Sequence, residues 1–392
     1  MLKEGGILSL IVSNKFARAG YGANLREFLL ENSRLLHILD LNGVTAFDGV
    51  TVDTLIISCQ KQKPNKNAKF SYKKHPAGKL QSLEFIENLH ENLIPQSKLS
   101  KEAFIFGDDA LFELKSKIES VGTPLKEWDI DINYGIKTGY NEAFIIDTAT
   151  KEAVLRACED ECERERTAKL IKPILRGRDI KRYSYEWANL WLINTHNGYT
   201  SQNGEQIPAI DINDYPALKK HLDSFYPKLE KRADKGKTPY NLRNCAYLED
   251  FEKEKIVYPE TSQGAYSMYD GANMFLEKTS FMIISKKINT KFLLGLLSST
   301  LITFYFKNFC GGCILGNNAY QYNKHALEKL PIPKITKENQ NLADELVKLI
   351  NQNLALKAEN STADTSQLEK DIDDLVFKLY DLNETDISKI KF

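Results

Sequence analysis

The groupings that could do chemistry are two cysteine pairs, one carboxylate–lysine run and three basic stretches with glycines or tyrosines between the cations. Cys310-Gly-Gly-Cys313 and Cys158-x3-Cys162 resemble two halves of a zinc site. The second spacing is loose and falls in a charged, helical-looking stretch, so reduced thiols and no metal are expected. Glu252-Lys253-Glu254-Lys255 superficially matches the carboxylate–lysine part of a nuclease site, although such runs are ordinarily a solvated face. There is no G-x-G-x-x-G, no G-x-x-x-x-G-K-[ST], no H-E-x-x-H and no G-x-S-x-G.

The basic stretches are more informative. "KLIKPILRGRDIKRY" places Lys169, Lys172, Arg176, Arg178, Lys181 and Arg182 against a single acid, Asp179. "KKHLDSFYPKLEKRADKGKTPYNLRNCAY" adds Lys231, Arg232, Lys235, Lys237 and Arg243, with Tyr226, Tyr240 and Tyr247 interleaved. Guanidinium forks bind phosphates and guanine edges, and lysines on a loop grip a backbone whatever its sequence. In "NYGIKTGYNEAFIID", Gly135 and Gly139 flank Lys137 and Thr138. A tight turn there would offer one cation and one hydroxyl to a phosphate. An ordinary hairpin would read the same.

These groups must be carried by regular elements. Leu2–Gly6 reads as the end of a helix stopped by Gly5 and Gly6. Ile7–Val12 is an unbroken apolar run, as in a strand buried on both faces. Tyr21–Leu35 has helical periodicity with Leu25, Phe28 and Leu29 on one face, and strands follow at Leu36–Leu41 and Val52–Lys61. Residues 81–99 hold a plausible helix, and a second helix should end at Gly122 and Pro124. Leu342, Leu346, Leu349 and Ile350, then Leu368, Ile372, Leu375, Val376 and Leu379, predict a helical hairpin around the polar "AENSTADTS".

The 392 residues suffice for two or three domains, and 42% hydrophobic with 27% charged residues describes a packed protein. Lys+Arg and Asp+Glu both number 53, so a nucleic-acid surface has to be local and balanced elsewhere. No apolar stretch reaches membrane-spanning length and no signal peptide opens the chain. A cytoplasmic protein with no membrane partner is expected.

Taken in order, "LKEGGILSLIVSNKFARAGYGANLREFL", "VTAFDGVTVDTLIISCQK", "GIKTGYNEAFIID", "IKPILRGRDIKRY", "KRADKGKTPYNLRNCAY" and "ALEKLPIPKI" resemble type IIG restriction–modification enzymes and the TaqI-like N6-adenine DNA methyltransferases. The resemblance covers nearly the whole chain. It implies a mixed α/β (α+β) fold: part of a Rossmann-like methyltransferase sheet over 1–62, a connector over 63–128, an α/β target-recognition domain over 129–335 and C-terminal helices over 336–392. The family uses S-adenosylmethionine, held by a glycine-rich loop. An Asn-Pro-Pro-Tyr motif polarises the flipped adenine. This sequence has neither element and no Pro-Pro at all. Both lie upstream of the "LK-x-GG" segment in family order, so the opening reads as a seam inside a methyltransferase domain.

The resemblance therefore implies sequence-specific recognition of double-stranded DNA, with no catalytic residue and no cofactor bound by this chain alone. An N-terminal methyltransferase half or subunit would supply S-adenosylmethionine in the assembled enzyme. Phe47 would stack on the flipped adenine. Lys137, Thr138, Arg176, Arg178, Lys181, Arg182, Lys231, Arg232, Lys235, Lys237, Tyr240 and Arg243 are the expected DNA contacts. "CGGCILGNNAYQY", with Tyr320 and Tyr322, is either a second recognition loop or a plain surface loop. The alternatives are a specificity subunit of a multi-chain restriction system and a complete methyltransferase with unrecognised catalytic residues.

Overall fold

The computed structural model describes residues 2–47, 52–271, 274–310, 314–315 and 319–390. Three apolar cores organise them, one within 16–104, a second within 136–284 and a third drawn from 114–382. The first lies under a five-stranded sheet built from β1 (Ile7–Ser13), β2 (Arg34–Leu41), β3 (Thr54–Gln60), β4 (Lys69–Lys74) and β5 (Glu91–Pro95), in the order β1-β3-β2-β4-β5. β3 runs antiparallel to both of its neighbours, and β2 and β4 are parallel. Leu55, Ile57 and Cys59 of β3 are buried, as a central strand requires. One helix, α1 (Ala23–Asn32), covers the sheet through Leu29, and its buried Arg26 donates to the carbonyls of Phe16, Ala19, Lys101 and Glu102.

Four expectations change here. Residues 2–6 form a turn with Gly5 at φ +78° rather than a helix end. β1 has the expected bounds but not the expected burial: Ile7, Leu8, Leu10 and Ile11 are 60%, 38%, 47% and 42% exposed. Among the described residues the strand pairs only with β3, which leaves both faces and one edge open there. An apolar run reports the absence of polar alternation and cannot report how many neighbours a strand has. Leu25 and Phe28 of α1 are also exposed, so Leu29 alone of the expected face is buried. Within 63–128, residues 81–99 give a five-residue helix (Leu83–Glu87) and then β5, and β4 and β5 extend the first sheet.

Helix α2 (Asp109–Val121), capped by the Asp108 carboxylate on the Leu111 amide, leads into β6 (Gly122–Pro124). The central region then builds two sheets. β7 (Ile130–Tyr134), β11 (Glu254–Pro259), β13 (Met268–Gly271) and β15 (Ser280–Ser285) form an antiparallel sheet in the order β13-β11-β15-β7. β8 (Ile145–Asp147), β9 (Ile171–Leu175), β10 (Leu190–Ile193) and β14 (Phe275–Leu276) form the other, in the order β8-β10-β9-β14. Lys255 of β11 is fully buried, ion-paired with Asp270 at 2.5 Å and donating to the Phe251 carbonyl at 2.6 Å. The Glu252–Lys255 run is thus not simply a solvated face: its last lysine braces the sheet.

A short strand β12 (Thr261–Ser262) pairs with β16 (Ala319–Gln321), and β17 (Pro331–Pro333) runs antiparallel to β6. The apolar helices α3 (Thr290–Leu297) and α4 (Thr300–Tyr305) are buried in the third core. The hairpin of α5 (Gln340–Glu359) and α6 (Ser366–Leu379) packs on them, with Gly295 seated against Leu346 and Ile350. Among the described residues no single helix is long and apolar enough to cross a membrane.

Candidate nucleic-acid interface

The second basic stretch folds into an irregular loop, residues 232–247, whose backbone is tied down at many points. The Gly236 amide donates to the Asn241 carbonyl at 3.0 Å and the Leu242 amide to the Thr195 carbonyl at 2.8 Å. Asn241 is buried; its amide nitrogen reaches the Ile210 carbonyl at 2.8 Å, and its oxygen accepts from the Thr238 amide at 3.2 Å. A Cβ on Gly236 would lie 2.4 Å from Asn197 Oδ1, so only glycine lets the loop press this close. His196 supports the same region: its Nδ1 accepts from the Gly198 amide at 3.2 Å, and burial pushes its pKa below the ordinary value.

Arg232 and Thr138 were expected to face DNA, and the structure turns both inward. The Arg232 guanidinium is 7% exposed and donates to the carbonyls of Thr138, Asp234, Pro239 and Asn241. It lies 4.5 Å from the Phe144 ring centroid, and burial pulls its pKa down to about 10. It is the internal tie of the loop. Thr138 is 1% exposed; its hydroxyl bonds the Asn141 side chain and accepts from the Tyr140 amide, closing the Gly135–Asn141 turn. Tyr240 is similarly engaged, with its hydroxyl on Asp223 and its ring against Tyr226.

The remaining cations divide into held and exposed groups. Arg176 is clamped to Asp179 through Nε and Nη2 at 2.9 and 2.7 Å, which caps the turn at Gly177. Arg182, also an expected DNA contact, bonds Glu369 of α6 and the Ser298 carbonyl, so its guanidinium joins the central region to the terminal hairpin. Lys181 sits 3.5 Å from Glu186. Lys137 is half-buried, its ammonium 5.3 Å from the Tyr134 ring centroid. Lys235, Lys237 and Arg243 project from the tied loop, Lys231 from the end of the helix Tyr226–Lys231 that leads into it, and Arg178 from the Gly177 turn; all five are exposed, and the Lys235 ammonium donates to the Glu230 carbonyl. Arg243 shares its charge with Asp234 at 3.0 Å.

A second cluster lies where the first sheet meets the recognition region. α4 continues into one wider π turn, Phe306–Cys310. There the Arg18 guanidinium donates to the Lys307 carbonyl at 2.8 Å, and the Lys307 ammonium lies 5.5 Å from the Tyr320 ring centroid. Burial lowers the Lys307 pKa; burial with the Asp40 and Asp53 carboxylates raises that of Tyr320. Tyr322 is buried and stacked on Phe306 at 4.1 Å. Phe47 is 47% exposed on the segment between β2 and β3, and residues 48–51 beside it lie outside the described set, as do Gly311–Cys313 and Gly316–Asn318 of the "CGGCILGNN" stretch. Arg18 and Lys307 carried no motif in the sequence. Only the packing of residues 289 apart brings them together.

Comparison with known proteins places the chain beside restriction–modification enzymes. Residues 172–332 match the TaqI-like C-terminal specificity domain, and residues 1–47 match the Eco57I restriction-modification methylase. The chain is 22% identical over its whole length to the type II methyltransferase M.BstVI of Geobacillus stearothermophilus, covering 67% of that protein. It is 22% identical over 90% of its length to M.BanIII of Aneurinibacillus aneurinilyticus, covering 65% of that protein. It thus spans about two-thirds of these relatives. Its fold is similar to that of the type IIL restriction-modification enzyme MmeI, solved in complex with DNA, with a TM-score of 0.62 at 12% identity, covering 98% of this chain and 48% of that one. The chain is thus similar to the TaqI-like C-terminal specificity domain over 172–332 and to the Eco57I restriction-modification methylase over 1–47, and along its length it resembles type II methyltransferases.

Proposed function

We propose that this chain finds and grips duplex DNA for an adenine-specific type II methyltransferase of a restriction–modification system, and that it works in the cytoplasm with a methyltransferase half. One observation carries the DNA reading: three exposed cations, Lys235, Lys237 and Arg243, stand on a loop whose backbone is already fixed, with exposed Lys231 at the end of the helix that enters it. A preformed cationic loop meets phosphates without first being ordered, which spares the entropy of fixing it on binding. Arg178 adds one more exposed cation, on the Gly177 turn. Phe47, half exposed, is the candidate to stack on a flipped adenine.

S-adenosylmethionine is assigned to the other half, because the residues here do not suit it: the sequence has no glycine-rich phosphate-type loop and no Asn-Pro-Pro-Tyr. The open side of β1 supports such a partner. Ile7, Leu8, Leu10 and Ile11 are exposed along an unpaired strand edge, a surface suited to receiving another strand.

Gel retardation with mixed-sequence duplexes tests the reading. Binding is expected at low salt and should fall steeply as salt rises. Lys235→Glu with Lys237→Glu should weaken binding to every sequence and flatten the log–log salt slope by about 2, at roughly 0.9 per lost phosphate contact. Absence of retardation at low salt, or unchanged affinity in the double variant, overturns it. Micromolar binding of S-adenosylmethionine by this chain in calorimetry would overturn the assignment of the cofactor to the other half.

A further inference from the structure

Beside the Gly135–Asn141 turn is a cleft of about 470 Å³ between that turn, the Gly177 turn and the end of β11. Its floor is Glu277, 4% exposed, whose carboxylate accepts from the Thr279 amide at 3.0 Å and lies 3.4 Å from the Asn141 side-chain nitrogen. One wall is Gly177. Its amide donates to the Thr279 hydroxyl at 3.0 Å, and a Cβ there would come within 2.7 Å of the Thr279 carbonyl. This close approach sets Arg178 on the rim. Its neighbour Arg176 is consumed by Asp179, whereas no ion pair holds the Arg178 guanidinium among the described residues.

The other wall carries Glu260. Its backbone is fixed on both sides, the amide on the Thr279 carbonyl at 2.8 Å and the carbonyl on the Tyr322 amide at 2.7 Å. One carboxylate oxygen accepts from Gln321 Nε2 of β16 at 3.1 Å, which orients the side chain and leaves the second oxygen without a hydrogen-bond partner among the described residues. A carboxylate is the wrong group to bring against phosphates, which repel it. It is the right group to accept from the exocyclic amine of a cytosine. A guanidinium beside it suits the N7 and O6 acceptors of the paired guanine.

Resting on the DNA-binding reading above, we propose that the Arg178–Glu260 cleft reads one G·C base pair in the major groove, Arg178 on guanine and Glu260, steadied by Gln321, on cytosine. The cleft then sets specificity at a single position, and the lysine loop supplies grip at all positions.

The test is selection of bound duplexes from a random pool by the 392-residue chain, followed by competition binding. The unaltered chain should enrich a motif with one fixed G·C pair that depends on this cleft. Arg178→Ala and Glu260→Gln should each lose discrimination at that one position by roughly 5- to 150-fold, the range of one good bidentate base contact, and keep the other positions. Gln321→Ala should relax the same position less. The Glu260→Gln variant is isosteric, and an unchanged melting curve will show that its fold is intact. A motif unmoved by both Arg178→Ala and Glu260→Gln, or affinity lowered equally for all sequences, overturns the cleft assignment alone. No retained duplex in any pool overturns the DNA-binding reading and the cleft with it.

Discussion

Arg232→Ala separates a residue that organises the recognition loop from one that touches DNA. In the native loop the guanidinium serves four backbone carbonyls, two of them at 3.0 Å, and is buried against Phe144. Each abandoned buried acceptor costs about 1–3 kcal/mol if it stays dry. Four together exceed what a surface loop withstands, so the loop should open to water instead, and the loss should appear as local opening rather than global unfolding. A local loss of about 3–4 kcal/mol follows, or roughly 150- to 1,000-fold faster amide exchange. The reporters are the amides of Gly236 and Leu242, hydrogen-bonded to Asn241 and Thr195, with Ile256 and Ile283 in the central sheet as controls. Exchange should accelerate at the first pair and hold at the second. DNA retardation should weaken in parallel. Arg232→Lys, which keeps the charge but reaches fewer carbonyls, should fall between. Loop exchange within about 3-fold of native in Arg232→Ala would refute the tie. Lost DNA binding with loop protection intact would mean that Arg232 meets DNA itself.

The same loop should respond to acid. The folded His196 pKa lies below its unfolded value near 6.5, so the unfolded state binds the extra proton, and the stability this group contributes is complete above about pH 6.5 and falls as pH drops towards the folded pKa. Exchange at Leu242 should therefore quicken between pH 7.5 and 5.5 beyond its intrinsic pH dependence, and His196→Asn, which keeps an acceptor for the Gly198 amide, should flatten the trend; equal trends in both chains would count against it. On the first sheet, Leu10→Asp should leave the melting of this chain within about 0.5 kcal/mol, since the side chain is 47% exposed, yet weaken co-purification with a co-expressed methyltransferase half about tenfold, at 1–2 kcal/mol for a half-exposed leucine. Undiminished co-purification would place the partner elsewhere.

Periodicity was enough to find what local physics controls. The α5–α6 hairpin, the bounds of β1 and the end of α2 at Gly122 were all legible, because helical spacing, apolar runs and glycine stops act within a few residues. What lay out of reach was the direction in which a cation points. In "KRADKGK", Arg232 and Lys235 look alike. They part only because Thr138, 94 residues away, offers a carbonyl to one of them. Glu260 carried no motif, and Gln321 stood unremarked within "CGGCILGNNAYQY", since their meeting depends on the two-residue pairing of β12 with β16. β5 was missed because five residues are too few to show a strand's alternation against a neighbouring helix signal.

The antiparallel pairing of β6 with β17, Gly122–Pro124 against Pro331–Pro333, bears on how such a protein diversifies. Residues 125–330 leave and re-enter the chain at one clasp, so recombination with breakpoints in the two clasp strands would exchange the whole reading surface without moving the ends it joins. The incoming segment inherits several obligations, among them the Arg182 pairing with Glu369 and the Thr300 bonds to Asp373. It must present a face like that around Gly295, against which Leu346 and Ile350 of the terminal hairpin are already fitted. Replacement is thus confined to segments that keep these contacts, and lineages should differ most between the clasp strands and least across the face that meets the terminal hairpin.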